Sequence, residues 1–312
     1  MIKSPLTNTS NVELVRNLSP SEIEKRWQSS MGIDVGKGFS SLSEIQHWRC
    51  LETGLEFYTP SEAAGDSSLY EQLQSHDFYY MDDKWEFRKA LSFLKPGQKV
   101  LEVGIGFGAF LSQVTEKGID IAGVELNSDA AERVRQKGYR VFETDLESLA
   151  DLHGDAVYDA ICSFQVLEHV SEPRSFLEGM IRLLRPGGRL ILSVPNAEFM
   201  RRIDPFYQGL LDQPPHHVAH WDAKVFRSLE KFLPLRVAEV CYEPLQPYHV
   251  DWFVIYFPRA TFQRWMPWQG KQIGRVLFNR FTLSPVTFLC RSGLRHWLPG
   301  HTLLVVLERK DR

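Results

Sequence analysis

Between residues 83 and 243, short apolar runs alternate with amphipathic stretches, a pattern that predicts strands separated by helices. DKWEFRKALSFL (83–94) sets Phe87, Leu91 and Leu94 at i, i+4 and i+7, and Pro96-Gly97 ends that helix. VLEV (100–103) reads as a buried strand, followed by a glycine-rich turn and the helix AFLSQVTEKG, closed by Gly118. IDIAGVEL (119–126), YRVFETD (139–145), YDAICSF (158–164) and RLILSVPN (189–196) read as further strands. Helices at 128–138 and around 172–185 fall between them. A helix at 222–233 and strands at 236–243 and 301–310 complete the pattern. Strands alternating with helices of this length mean an α/β protein with a doubly wound, seven-stranded, Rossmann-like sheet.

Two regions break the alternation. Residues 1–82 are mixed and read as an N-terminal cover, with one helix starting where Ser19 can cap and Pro20 suits the first turn. Residues 252–300 form an insert before the last strand. The core domain is then 83–251 plus 301–312.

The turn after VLEV holds Gly104, Gly106, Gly108 and Ala109, directly between a strand and a helix. Glycines there let the backbone approach a ligand and present free helix N–H groups to a carboxylate or phosphate. Gly104, Gly106 and Ala109 satisfy G-x-G-x-x-G/A, and Glu125 follows Gly104 by 21 residues, where an acid can take ribose hydroxyls. This context points to a nucleoside cofactor. Alone, it leaves NAD and S-adenosylmethionine open, besides a tight turn that binds nothing.

The order of five motifs separates these. VLEVGIGFGAFL resembles the first motif of class I methyltransferases, VELN (124–127) the second and ETDLESL (143–149) the third. FQVLEHV (164–170) followed by RPGGRLILSVPN (185–196) is similar to the fourth- and fifth-strand region of the ubiquinone-biosynthesis-like methyltransferase group. HHVAHWD (216–222) resembles the histidine-rich segment of that group. The resemblance runs over 95–243 and implies S-adenosyl-L-methionine as cofactor. It implies that Gly104, Gly106 and Gly108 pack under the methionine part and that Glu102 holds the ammonium end. It further implies Glu125 on the ribose, Asp145 on the adenine amine with Leu146 against the ring, and Phe164 and Gln165 bordering the methyl group.

Methyl transfer is a displacement in which alignment supplies much of the rate. A hydroxyl acceptor also has to lose a proton, and a histidine is the usual base. The candidates are His169, beside Glu168, and His216, His217 and His220; His217, His169 and Glu168 are taken as the catalytic set. Some relatives bind a divalent metal through E-x-x-E-H and a later histidine. Here Gln165 replaces the first glutamate, which weakens a site for a hard cation, so no metal is expected. Bracing of the loop by Glu168 and His169 is the competing role.

The segment WRCLETGLEFYTP (48–60) resembles a zinc-ribbon module that precedes some sugar and natural-product methyltransferases. Its C-x-x-C-G is missing, because Cys50 is followed by Leu51, Glu52, Thr53 and Gly54. No zinc is expected, and Tyr79, Tyr80 and Trp85 are candidates either to close over the ligand or to pack in a core.

Charge changes the picture in one place. The whole chain is at −3, yet 252–300 holds Arg259, Arg264, Lys271, Arg275, Arg280, Arg291 and Arg295 with no Asp or Glu. Trp252, Tyr256, Trp265, Trp268, Phe281 and Trp297 are among its aromatics. That mixture suits an anionic membrane surface, a pocket for an acidic or lipid-like acceptor, or a cap with solvated arginines. Overall acidity excludes reliance on general basicity, and no DNA partner is expected.

Cys50, Cys162, Cys241 and Cys290 are scattered singly, which reads as reduced thiols. The first residues lack the apolar run of a signal peptide, and no stretch of 18 apolar residues occurs. A cytoplasmic protein with peripheral membrane contact is expected. The leading reading is methylation of a small-molecule, sugar or lipid-linked hydroxyl. A catalytically inactive cofactor-binding partner subunit and an RNA methyltransferase are the alternatives.

Overall fold

The computed structural model describes residues 1–74, 81–266 and 270–311, and its strands fall into two sheets. In chain order they are β1 (Val12–Leu18), β2 (Ile45–Cys50), β3 (Glu56–Thr59), β4 (Lys99–Val103), β5 (Asp120–Val124) and β6 (Val141–Phe142). Then come β7 (Tyr158–Phe164), β8 (Leu184–Pro195), β9 (Ala219–His220), β10 (Leu235–Pro244) and β11 (Pro299–Arg309).

The large sheet has seven strands in the order β10-β11-β8-β7-β4-β5-β6. β8, β7, β4, β5 and β6 run parallel, while β11 is antiparallel to both neighbours. Alternate residues of the parallel strands feed two cores, as a sheet covered on both faces requires. Leu101, Val103, Ile161 and Leu192 enter one core; Val100, Ala160, Cys162 and Ile191 enter the other. This is the doubly wound α/β sheet expected from the alternation.

Element ends differ from the sequence pattern where local pairing stops. The third strand shrinks to Val141–Phe142, because only those residues find β5 beside them. Arg185-Pro186-Gly187-Gly188 lies inside β8: Tyr158 pairs with Leu184 and Ala160 with Arg189, so the extra residues form a bulge. Gly187 takes the positive φ of 70° that this bulge needs.

The N-terminal region contributes a second, antiparallel sheet, ordered β1-β2-β3-β9. β9 belongs to the histidine-rich segment after β8, and Glu56 pairs with His220 and Phe57 with Ala219. The boundary placed at residue 82 is therefore crossed by backbone pairing. The helix Pro20–Met31 is capped by Ser19, as the sequence implies, and buries Ile23 and Trp27.

The insert is helical, with Val250–Trp265, Gly270–Leu277 and Ser284–Arg291. It rests on the helix Ala197–Ile203 through Phe199, Met200, Phe253 and Val254. Among the described residues, no helix is long and apolar enough to cross a membrane.

Candidate active site

β4 and β7 are neighbours, but the chain leaves β4 toward β5 and β6 and leaves β7 toward β8. At such a reversal a crevice opens beyond the carboxyl ends of the strands. The sequence-predicted residues gather there in two groups.

The cofactor group lies along the ends of β4, β5 and β6. Gly104, Gly106 and Gly108 all have positive φ, of 78°, 51° and 77°. At Gly104 a Cβ would stand 2.4 Å from Val166 Cγ2, so the turn also allows close packing against the loop after β7. Glu125 is clamped by two backbone donors, with Gly106 N–H giving to Oε2 at 3.0 Å and Asn127 N–H to Oε1 at 2.9 Å. Burial raises its carboxyl despite them. Asp145 is exposed and caps the helix Leu146–His153, accepting from Ser148 N–H at 2.8 Å and from Ser148 Oγ at 2.9 Å. Those bonds hold its pKa down and leave lone pairs facing outward. Leu146 beside it is buried.

Glu102 carries the test of whether a cationic ligand fits. It lies on the same sheet face as Val100, directly opposite Cys162, and is 2% exposed. Among the described residues, its Oε2 has no hydrogen-bond partner. Burial pushes its carboxyl well above the usual range, Lys84 offsets part of this, and the charge of Glu125 adds to it. An orphaned buried carboxylate oxygen is costly unless something pairs with it. The ammonium group of a methionine-type ligand is such a partner, and the residues present fit that group.

Phe164 closes this side by packing edge-on against Phe110 and Phe87, with centroids 4.7 and 5.2 Å away. Gln165 has φ of 55°, a strained conformation for a residue with a side chain, at the point where β7 meets the crevice. It is held by Gln165 N–H to Ser193 O at 2.9 Å and by its amide toward Ser193 Oγ at 3.4 Å.

The acceptor group lies over β7, β8 and β11. His169, His216 and His217 stack into one cluster, with ring centroids 4.4 to 5.1 Å apart. Burial lowers all three, His169 to about 4, so they are neutral at neutral pH. His169 Nδ1 faces His216 O at 2.5 Å, His216 Nδ1 faces Leu211 O at 2.9 Å, and His217 Nδ1 faces Asp212 Oδ1 at 3.1 Å. Glu168 is 2% exposed, neither oxygen has a hydrogen-bond partner among the described residues, and burial raises it to about 8. Its Oε1 lies 4.0 Å from His169 Nε2. A neutral acid beside neutral imidazoles is an arrangement suited to proton transfer.

Among the described residues, two sets have ligand atoms close enough for a metal ion, within 4.8 Å of one another: His169, His216 and His217, and separately His47, Glu56 and His220. The second set is already an ion-pair network. Arg49 binds Glu56 Oε1 at 2.8 Å and Arg201 lies 3.6 Å from the same oxygen.

The fold brings in residues the motifs did not mark. Glu86, Asp212, Glu243 and His301 all bear on this group. Glu243 Oε2 accepts from Thr302 N–H at 3.0 Å, and burial raises its carboxyl to about 7. None sits in a motif, and only the hydrophobic-run boundaries at 83–94, 236–243 and 301–310 hinted that their neighbours were core. Tyr79 and Tyr80 lie outside the described residues; Trp85 opens the helix Trp85–Leu91 and packs partly buried against the core.

A family model described as a methyltransferase domain matches residues 73–239, more than half of the chain. The chain belongs to the methyltransferase domain family. Its fold and motif order agree with that family, for which the sequence resemblance implies S-adenosyl-L-methionine as cofactor. A ubiquinone biosynthesis O-methyltransferase of Psychrobacter arcticus is 31% identical over 194 residues, 58% of this chain and 65% of that protein. The mitochondrial one of Dictyostelium discoideum is 24% identical over 143 residues, 40% of this chain and 44% of that protein. The chain thus spans about half the length of the curated relatives it matches. A SAM-dependent methyltransferase structure from Archaeoglobus fulgidus superposes with a TM-score of 0.52 at 17% identity, covering 77% of this chain and 99% of that one. That likeness speaks to the fold.

Proposed function

We propose that this chain methylates a hydroxyl group on a small-molecule, sugar or lipid-linked acceptor, with His217 as base and His169 and Glu168 beside it. The observation that carries the reading is the cluster of neutral, buried imidazoles at the carboxyl end of β7, facing the same crevice as the glycine turn. S-adenosylmethionine, when bound, supplies a methyl group on a sulfonium centre. Glu102 then pairs with its ammonium end, Glu125 with the ribose and Asp145 with the adenine amine, while Leu146, Phe164 and Gln165 shape the walls. Alignment by these groups would lower the barrier, and the imidazole would take the proton that the acceptor hydroxyl loses. The relatives named for ubiquinone biosynthesis O-methylation support an oxygen acceptor.

The insert supports an amphipathic acceptor and peripheral membrane contact. A cavity of about 610 Å³ is lined by Tyr248, Trp252, Tyr256, Arg259, Arg280 and Phe281, among others. Tyr248 lies close enough to Glu243 and Glu86 for their charges to raise it further after burial, which links this cavity to the acceptor group. Trp265, Phe281, Phe288 and Trp297 of the insert are 85%, 91%, 70% and 87% exposed. Exposed apolar rings on a segment that also carries basic side chains fit an anionic bilayer.

Turnover with methyl-labelled S-adenosylmethionine against lipid and aqueous extracts, with products identified by mass, tests the reading. The expected product is a methyl ether in the lipid fraction, formed equally with and without EDTA. Label on nitrogen or RNA, or no label at all, overturns it. Arg275→Glu with Arg280→Glu is expected to reduce sedimentation with anionic vesicles, and no sedimentation of the wild type with any vesicle removes the membrane contact.

A further inference from the structure

We infer that Asp212 is the positioning residue of the base: its carboxylate holds His217 in the one tautomer whose Nε2 lone pair can accept a proton. The inference rests on the reading of His217 as base and goes beyond it by naming what selects this histidine from its neighbours.

The three stacked imidazoles differ in one respect. Nδ1 of His169 and of His216 faces a backbone carbonyl, whereas Nδ1 of His217 faces a carboxylate oxygen. An ionised carboxylate only accepts, so the His217 proton sits on Nδ1 and the lone pair on Nε2. When His217 takes a proton, the resulting imidazolium lies against the negative charge of Asp212. At His169 the same cation would meet a neutral carbonyl, and although the Asp212 charge also favours it at His216, Nδ1 there faces the Leu211 carbonyl and not the carboxylate. A carboxylate behind an imidazole in this manner fixes the tautomer and stabilises the charged form.

Asp212 is itself held from the N-terminal sheet. Its backbone carbonyl accepts from His220 Nε2 at 3.0 Å, and Oδ1 lies 3.7 Å from the same nitrogen. His220 Nδ1 faces Glu56 Oε2 at 3.4 Å, across the pairing of β9 with β3. Glu56 accepts on its other oxygen from Arg49 at 2.8 Å and from the Tyr207 hydroxyl at 3.2 Å. The line Arg49, Glu56, His220, Asp212, His217 therefore runs from the second sheet into the crevice, with Glu56, His220 and His217 buried throughout. Burial keeps water from competing for these bonds, and it makes the loss of any one member expensive. This gives the N-terminal sheet a role in the chemistry: it anchors the loop that carries the base.

The groups around His217 are Asp212, His216 and His220 on its own segment, His169 after β7 and His301 on β11. The imidazoles, like burial, oppose a positive charge on His217, which leaves Asp212 as the group that favours it.

Nitrogen-15 NMR of histidine-labelled full-length protein reads the tautomer without any acceptor, with the His217 signals assigned by His217→Gln. The expected state is Nδ1–H in the wild type and a mixed or Nε2–H state in Asp212→Asn, since an amide can donate to Nδ1. An Nε2–H wild type overturns the inference even if the variant does not fold. In turnover of labelled S-adenosylmethionine with the lipid extract, Asp212→Asn should lower kcat about 10²-fold, the range of a general base. Cofactor affinity and melting temperature should stay near wild type, and Asp212→Glu should restore part of the rate. The acidic limb of the pH profile should also move to lower pH in Asp212→Asn, because the imidazolium has lost its counter-charge. If His217→Ala leaves turnover intact, the base is elsewhere and the functional reading fails. If His217→Ala removes turnover while Asp212→Asn keeps both rate and tautomer, only the role of Asp212 fails.

Discussion

The two halves of the crevice are built differently. On the cofactor side, Glu102, the glycine turn, Glu125 and Asp145 follow one another within a single stretch of chain, each at the end of a parallel strand. Their side chains are held by adjacent backbone: Gly106 and Asn127 clamp Glu125, and Ser148 clamps Asp145. On the acceptor side, Glu56, Glu86, His169, Asp212, His217, Glu243 and His301 come from six separated segments, and their bonds cross between them. A site held by local backbone can be moved between proteins as a motif. A site held by long-range contacts depends on how this particular chain packs.

That contrast gives graded expectations. The largest effect in the local half should come from Glu102→Gln, which removes the buried carboxyl proposed to pair with the ammonium group. A hydrogen bond to a charged group is worth about 1.5–3 kcal/mol, so calorimetry should show S-adenosylmethionine binding roughly 10- to 100-fold weaker. Unchanged affinity would mean that the orphaned oxygen serves something else. Asp145→Ala should weaken the same ligand by about 1 kcal/mol. It should also cost about 1 kcal/mol of stability through the lost helix cap, which thermal unfolding reads separately. An effect on stability alone would leave Asp145 only as a cap.

The smallest effect probes the acceptor half. Glu168 has a folded pKa of about 8, above the ordinary carboxylate value, so its contribution to stability is complete below the unfolded pKa and is lost as pH rises through 8. Glu168→Gln should therefore leave the melting temperature of the ligand-free protein nearly unchanged at pH 5. At pH 8 it should raise it by about 2–4 °C per kcal/mol recovered. An equal shift at both pH values would show that the carboxyl is ionised in the fold, and the picture of a neutral acid among neutral imidazoles would break.

How legible each half was follows from the same difference. The sheet could be read because strands with both faces covered are short and apolar throughout, and the helices between them carry their own caps and glycine stops. The second sheet could not. VELVRNL (12–18) mixes apolar and polar positions without strict alternation, and β9 is two residues long, so neither has a pattern until it finds a partner. His217 was visible as one of several histidines, but nothing in HHVAHWD distinguishes it from His216 or His220.

By itself, the sequence determined the α/β class and the glycine turn between strand and helix, because strand alternation and a strand–glycine–helix turn are local and impose their geometry wherever they occur. Only the tertiary structure decided which ionisable groups meet over β7 and β11, that Glu102 is left with an open oxygen, and that β9 joins the N-terminal strands. Burial and charge pairing act between segments far apart in the chain, and neither has a spacing that can be read along it.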